Sequence, residues 1–272
     1  MPVPSKRLAM AAKLSLFVFV ATTVSLRDAA AAQPSRRLIA VFAHPDDERV
    51  IGPLLSRLAR EGREVHLVIA TDGSKGVRDH AGIPAGPQLA AARIKEAQCA
   101  AKQLGVHQLH MVGMEDGSLG TSMTNLAELR TRLSAIIAHV QPEVIITFGP
   151  EGGTGHPDHR LVGNVTTEIV QRDERHHAVN LFYASLPAER LRSAPPSMPT
   201  VSGVAEELLT TRVPVEPHDL IAGRKSFACH ATQYTADEMG AINRTLTHVW
   251  NGFAYLRPFN GPSPDPAALF RP

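Results

Sequence analysis

The stretch Leu38-Ile39-Ala40-Val41-Phe42-Ala43-His44-Pro45-Asp46-Asp47-Glu48 decides how this chain is read. Its first five residues are a continuous apolar run, the pattern of a strand buried on both faces, and a helical pattern follows from Val50 to Arg60. The plan returns about a hundred residues later. Val144-Ile145-Ile146-Thr147-Phe148 reads as a second buried strand, Gly149 to Gly155 as a loop, and His156-Pro157-Asp158-His159 leads into a helix beginning near Arg160. Each tetrad therefore sets imidazole and carboxylate groups at the mouth of a strand.

Working outward, strands and helices alternate. Val65 to Ala70 reads as a strand, Leu89 to Leu104 as a helix, Leu109 to Val112 as a short strand and Leu126 to Val140 as an amphipathic helix. The helix from Arg160 to Arg172 leads to a fifth strand at Leu181 to Ala184. This alternation predicts an α/β fold: a Rossmann-like, open, mostly parallel sheet with helices on both faces. A 3-2-1-4-5 strand order makes the first and fourth strands neighbours, and ligands bind beyond the carboxyl ends where the order reverses. Both tetrads would then meet. Further on, Pro187 to Pro199 reads as a surface excursion, Thr210 to Val215 as an edge strand, Asp219 to Leu246 as largely helical, and Pro258 to Pro272 as a proline-rich tail without regular structure.

The chemistry of the tetrads points to a metal. A residue before proline is pushed away from the helical region, so Pro45 and Pro157 hold His44 and His156 extended while the aspartates open the helices. Neutral imidazole with carboxylate suits zinc, and a catalytic zinc takes three protein ligands and keeps one open position. His44, Asp47 and His159 are the expected ligands, leaving Asp46, His156 and Asp158 for proton work.

These residues carry a resemblance. Ala43-His44-Pro45-Asp46-Asp47-Glu48 with His156-Pro157-Asp158-His159 is similar to the LmbE-like (PIG-L) zinc de-N-acetylase family, as are Thr71-Asp72-Gly73, Arg93 with Glu96 before Leu104-Gly105-Val106, and Lys225, Ala228, His230, Thr232 and Gln233. The similar region runs from about Leu38 to about Leu246. Where members often carry Glu after the Thr-x-Gly turn, this chain has Ser74. The resemblance implies removal of the acetyl group from an N-acetylated amino sugar of the N-acetylglucosamine type, giving acetate and a free amine. It implies Zn2+, or another divalent metal such as Fe2+, with Asp46 as general base. His156, as an imidazolium oriented by Asp158, would face the oxyanion, and the proton for the departing amine would come from Asp46 or His156. Arg93, Lys225 and His230 are candidate substrate contacts. The alternatives are the same zinc chemistry on another amide or ester, and an exported carbohydrate-binding protein without catalysis.

Composition narrows the partners. Lys6, Arg7 and Lys13 precede an apolar stretch from Leu14 to Val24, and Ala30-Ala31-Ala32 is a small-residue site before Gln33. Residues 1–32 therefore read as a signal peptide, 33–257 as the deacetylase-like domain and 258–272 as the tail, with export to the periplasm or medium and no integral membrane segment after cleavage. The formal charge of the whole chain is +2; Lys6, Arg7, Lys13 and Arg27 against Asp28 account for more than that, so the remainder is near −1. With no basic run interleaved with aromatics, nucleic acid is not an expected partner. Cys99 and Cys229 fall in helical segments and read more readily as small buried thiols than as a pair. His176-His177 reads as a solvated linker, the glycines at 152, 153 and 155 as flexibility around His156 rather than a phosphate loop, and no G-x-S-x-G elbow is present.

Overall fold

The computed structural model describes residues 1–2, 36–172, 179–195, 201–261 and 269–270. Residues 3–32 of the expected signal peptide, and His176-His177, lie outside them. From Arg36 onward, strands β1 (Arg37–Phe42), β2 (Glu64–Thr71), β3 (Gln108–Met114), β4 (Val144–Phe148), β5 (Asn180–Ala184), β6 (Thr211–Pro214) and β7 (Phe253–Pro258) form one sheet in the order β3-β2-β1-β4-β5-β7-β6. The first five pair in parallel, and β7 pairs antiparallel with both β5 and β6. The expected fold class and the 3-2-1-4-5 order are both present.

The continuous apolar runs explain the layering. In β1, Leu38, Ala40 and Phe42 face one core with Leu54, Leu55 and Leu58 of α1 (Gly52–Arg60) and Leu104 of α2 (Pro87–Leu104). Ile39 and Val41 face the other, with Leu129, Leu133 and Ile137 of α3 (Met123–Val140) and Val162, Val165 and Ile169 of α5 (Pro157–Arg172). Alternate side chains of a strand point to opposite faces, so a run with no polar position belongs in a sheet covered twice. Gly163 lets α5 approach β4: a Cβ there would stand 2.2 Å from the Phe148 carbonyl oxygen. The short α4 (Gly152–Gly155) and α6 (Ala188–Ser193) lie in the connections after β4 and β5.

The C-terminal part differs from the sequence reading in three respects. The helical stretch divides into α7 (Pro217–Phe227) and α8 (Ala236–Trp250), separated by a turn in which His230 accepts backbone N–H groups from Gln233 and Tyr234 at its carbonyl. Thr235 caps α8 in a reciprocal capping box with Glu238, which is why a new helix starts there. The sequence pattern does not announce β7; Asn251 and Gly252, both with positive φ, end α8 and turn the chain back into the sheet. Leu269 and Phe270 of the tail return to the core against the α1 face.

The third difference is Cys99–Cys229, which is a disulfide with a Cα–Cα distance of 5.9 Å. Cys99 is exposed and Cys229 half-buried, so neither is the buried thiol the helical pattern suggested. The bond joins α2 to the turn after α7 across 130 residues of chain. Because it closes a long loop in the unfolded chain, Cys99→Ser with Cys229→Ser should lower stability by about 2–4 kcal/mol, read as a lower denaturant midpoint than the oxidised protein.

Candidate metal centre

The first tetrad is bent into place by a strained backbone. Asp46 has φ 109° and ψ −14°, a conformation that residues with a side chain rarely adopt, and its carboxylate makes no helix cap. Asp47 does not cap the helix either: its Oδ2 accepts from the N–H groups of Ala43 and His44. Instead the loop is held from below. The Asp46 N–H donates to Glu48 Oε2 at 3.0 Å, and the other oxygen of Glu48 meets His230 Nε2 at 2.6 Å. Glu48 and His230 are both fully buried. Burial disfavours a charged His230, but the Glu48 carboxylate beside it outweighs that and raises its pKa. Arg93 of α2 donates to the carbonyls of Pro45 and Gly73 and to Asp46 Oδ1 at 3.2 Å. Gly73 is required there: its φ is +68°, and a Cβ would stand 2.5 Å from the guanidinium.

With the loop so placed, potential ligand atoms of three residues converge. His44 Nδ1 and His159 Nε2 are 3.0 Å apart, His159 Nε2 is 3.1 Å from Asp47 Oδ1, and His44 Nδ1 is 3.6 Å from Asp47 Oδ2. Ligands about 2.0–2.1 Å from a tetrahedral zinc are separated by about 3.3 Å, so the spacing fits. The outer ring nitrogens are already engaged. His159 Nδ1 faces the Gly152 carbonyl at 2.8 Å, and His44 Nε2 faces Asp116 Oδ1 at 3.1 Å and Asp158 Oδ2 at 3.3 Å. When both rings donate outward, their inner nitrogens face each other at 3.0 Å, a contact satisfied by a proton on His44 Nδ1 or by a metal ion held between them. His44, His156 and His159 likewise bring one ring nitrogen each within 4.8 Å of one another.

The electrostatics favour positive charge at that point. Burial works against a charged His44, yet hydrogen bonds to Asp116, Asp158 and Asp47 push it up to about 12. Burial opposes ionisation of Asp47, but the charge of His159 and the hydrogen bonds from His159 and His44 hold its carboxyl well below the usual range. The residues present therefore fit a divalent metal, with His44, Asp47 and His159 as the expected ligands.

Asp46 stands beside this set. Its Oδ1 accepts from Arg93, and its Oδ2 accepts from Arg49 at 3.0 Å and Tyr234 Oη at 2.6 Å. Burial and the Asp46 charge raise the Tyr234 phenol, with Arg49 acting oppositely, so it remains a donor. A carboxylate has about four lone-pair sites, so one is left for a further proton.

His156 is exposed, with its ring 4.7 Å from that of His44. Partial desolvation of the ring against its neighbours and the charges of His44 and His159 lower its pKa, which opposes the expected imidazolium. Nor does the Asp158 carboxylate orient it. That carboxylate accepts from Gly117 N–H at 2.9 Å and faces His44, while the Asp158 N–H donates to His156 Nδ1 at 3.1 Å. With Nδ1 an acceptor, a neutral His156 carries its proton on Nε2.

Two of the three expected substrate contacts are buried. Arg93 is 3% exposed and His230 0% exposed, so both act on the loop from inside, whereas Lys225 is exposed on α7. Asp116, Arg49 and Tyr234 join the site without having been singled out by the sequence pattern. Asp116 follows β3 as the tetrads follow β1 and β4, so the rule that favours carboxyl ends of parallel strands would have found it; Tyr234 has no such signal. Beside Asp47 and His159 lies an opening with an apolar wall of Val50, Phe148, Leu186, Val201 and Leu246.

The family profile of GlcNAc-PI de-N-acetylase, PIG-L, matches residues 39–170. A 1D-myo-inositol 2-acetamido-2-deoxy-alpha-D-glucopyranoside deacetylase of Corynebacterium urealyticum is 32% identical over 242 residues, covering 73% of this chain and 71% of the relative. The chain belongs to the PIG-L family. Among solved structures, the N,N'-diacetylchitobiose deacetylase of Pyrococcus horikoshii superposes with a TM-score of 0.61 at 22% identity, covering 83% of each chain. The zinc-inhibited form of teicoplanin deacetylase Orf2 superposes with a TM-score of 0.60 at 16% identity, covering 82% of this chain and 97% of that one. At these identities both speak for the fold.

Metal content tests the ligand assignment. Purified protein should retain about one tightly held zinc per chain through desalting, and His44→Ala, Asp47→Ala and His159→Ala should each lose it, measured by elemental analysis. Full retention in all three would refute the assignment.

Proposed function

We propose that this protein is a metal-dependent hydrolase that removes the acetyl group from an N-acetylated amino sugar of the N-acetylglucosamine type, releasing acetate and a free amine. The observation that carries the reading is the convergence of His44, Asp47 and His159 beside a carboxylate, Asp46, that binds none of them. Membership of a de-N-acetylase family supports the same chemistry, and relatives named as deacetylases of acetamido sugars support the substrate class.

Zinc, or another divalent metal such as Fe2+, would be held by His44, Asp47 and His159 and would acidify a water and polarise the amide carbonyl. Asp46, with one lone pair remaining, would take a proton from the attacking water. Arg49, Arg93 and Tyr234 hold the carboxylate in one rotamer, so little reorganisation is needed when the proton arrives. As the carbonyl becomes tetrahedral, His156 Nε2–H donates to the developing oxyanion as a neutral imidazole. Asp158 and Asp116 hold His44 rather than touching substrate. The proton that Asp46 has taken then passes to the departing nitrogen, since a neutral His156 that gave up its Nε2 proton would be left as an imidazolate. The acetyl methyl has an apolar surface to rest on in the opening beside Asp47. Since Asp46, His156 and the ligand set are all present, the catalytic reading is preferred to a binding protein without catalysis.

Export is part of the proposal. The basic, apolar and small-residue segments of residues 1–32 are those of a signal peptide, and the Cys99–Cys229 disulfide suits an oxidising compartment. No helix among the described residues is long and apolar enough to cross a membrane.

Asp46→Asn should keep zinc while turnover of N-acetylglucosamine conjugates falls on the order of a hundredfold or more. Wild-type turnover would remove Asp46 from the reaction. His156→Ala should keep zinc and lose about 3–4 kcal/mol of transition-state stabilisation in kcat/KM. N-terminal sequencing of the exported protein should begin at Gln33; an intact leader on cytoplasmic protein would refute export.

A further inference from the structure

A second group of imidazoles lies at the other end of the sheet. Glu64 and His66 stand two apart on β2, on the same face, at the end opposite Thr71, which bonds to Ala43 beside the tetrad. His107 is fixed against them by its backbone N–H, which donates to the Val65 carbonyl at 2.8 Å. Glu64 Oε1 is 3.1 Å from His66 Nε2 and 3.7 Å from His107 Nε2, and one ligand atom from each residue lies within 4.8 Å of the others. These spacings bracket the roughly 3.3 Å between ligands of a tetrahedral ion.

Behind His66 stands a fourth group. His66 Nδ1 is 3.0 Å from His110 Nε2, and the two rings stack with centroids 5.3 Å apart. We infer that Glu64, His66 and His107 form a second site for a divalent transition metal such as Zn2+ or Ni2+, in which His110 orients His66. Imidazole nitrogen with a single carboxylate selects such ions over Mg2+ or Ca2+, which prefer oxygen.

The tautomers decide how the site works. Without metal, His66 Nε2–H donates to Glu64 and Nδ1 accepts from His110. Metal at Nε2 leaves the His66 proton on Nδ1, which then donates to His110 Nε2 while the His110 proton moves to its own Nδ1, the arrangement that holds a ligating imidazole in orientation. Neutral imidazole is the form that binds metal. Arg37 is the register partner of Glu64, and its positive charge opposes a cation there, so this site should bind more weakly than the tetrad centre.

The test is a zinc titration of the chelator-treated, full-length protein, followed calorimetrically and by elemental analysis, and repeated with Ni2+. Wild type should take up about two zinc ions per chain, one tight and one weaker. His107→Ala, an exposed substitution, and Glu64→Gln should each weaken the second uptake about tenfold or more while deacetylation is unchanged. His44→Ala should lose the tight ion and keep the weak one, which separates this site from the tetrad centre. Uptake of a single zinc by wild type, or a second uptake of wild-type affinity in both His107→Ala and Glu64→Gln, would overturn the proposal.

Discussion

The parallel pairing of β1 with β4 is the constraint on which the candidate centre depends. Leu38, Ile39 and Ala40 lie in register with Val144, Ile145 and Ile146, and the two strands end at the same level. His44 leaves one end and His159 sits one turn into the helix that follows the other, separated by 115 residues in sequence. No local preference could bring those two nitrogens to 3.0 Å. The backbone ladder and the two apolar layers that hold the sheet rigid do so, which is why a site placed on strand ends can be accurate while its loops vary.

A layer of buried charge supports the centre. Glu48, Arg93, His230, Asp158 and Asp116 are mostly shielded from water, and each has a defined partner in the tetrad loops. Burying such groups is unfavourable unless they are paired, so their presence marks positions where orientation matters more than stability. The strain at Asp46 belongs to the same arrangement: Glu48 and Arg93 hold its backbone from either side. The Cys99–Cys229 bond lies next to His230 and ties α2, which carries Arg93, to the turn that carries His230. Two of the supports of Asp46 are thereby linked covalently.

The polarity of the centre divides the work. Carboxylates surround His44 and draw positive charge to the inner face of the cluster, whereas the more exposed His156 feels that charge and stays neutral. One imidazole thus serves as ligand and another as hydrogen-bond donor, although both come from His-Pro-Asp turns of nearly the same sequence.

Much of this architecture is legible in the amino-acid sequence. The two apolar runs, the helices after them and the repeated tetrads determine a doubly covered, mostly parallel sheet and place the ligands at its carboxyl edge, because strand burial and βα alternation are local patterns with one compact solution. The roles of Arg93, His230 and Asp158 are not legible there. A buried arginine and an exposed one look alike in sequence, and which carboxylate faces which imidazole depends on distances across the fold. The same holds for the disulfide, for Tyr234 and for β7, which only the neighbouring strands β5 and β6 make a strand. Sequence determined which residues could do the chemistry; tertiary packing decided which of them touch the reacting centre and which hold the others still, since burial and hydrogen-bond partners exist only once distant segments have met.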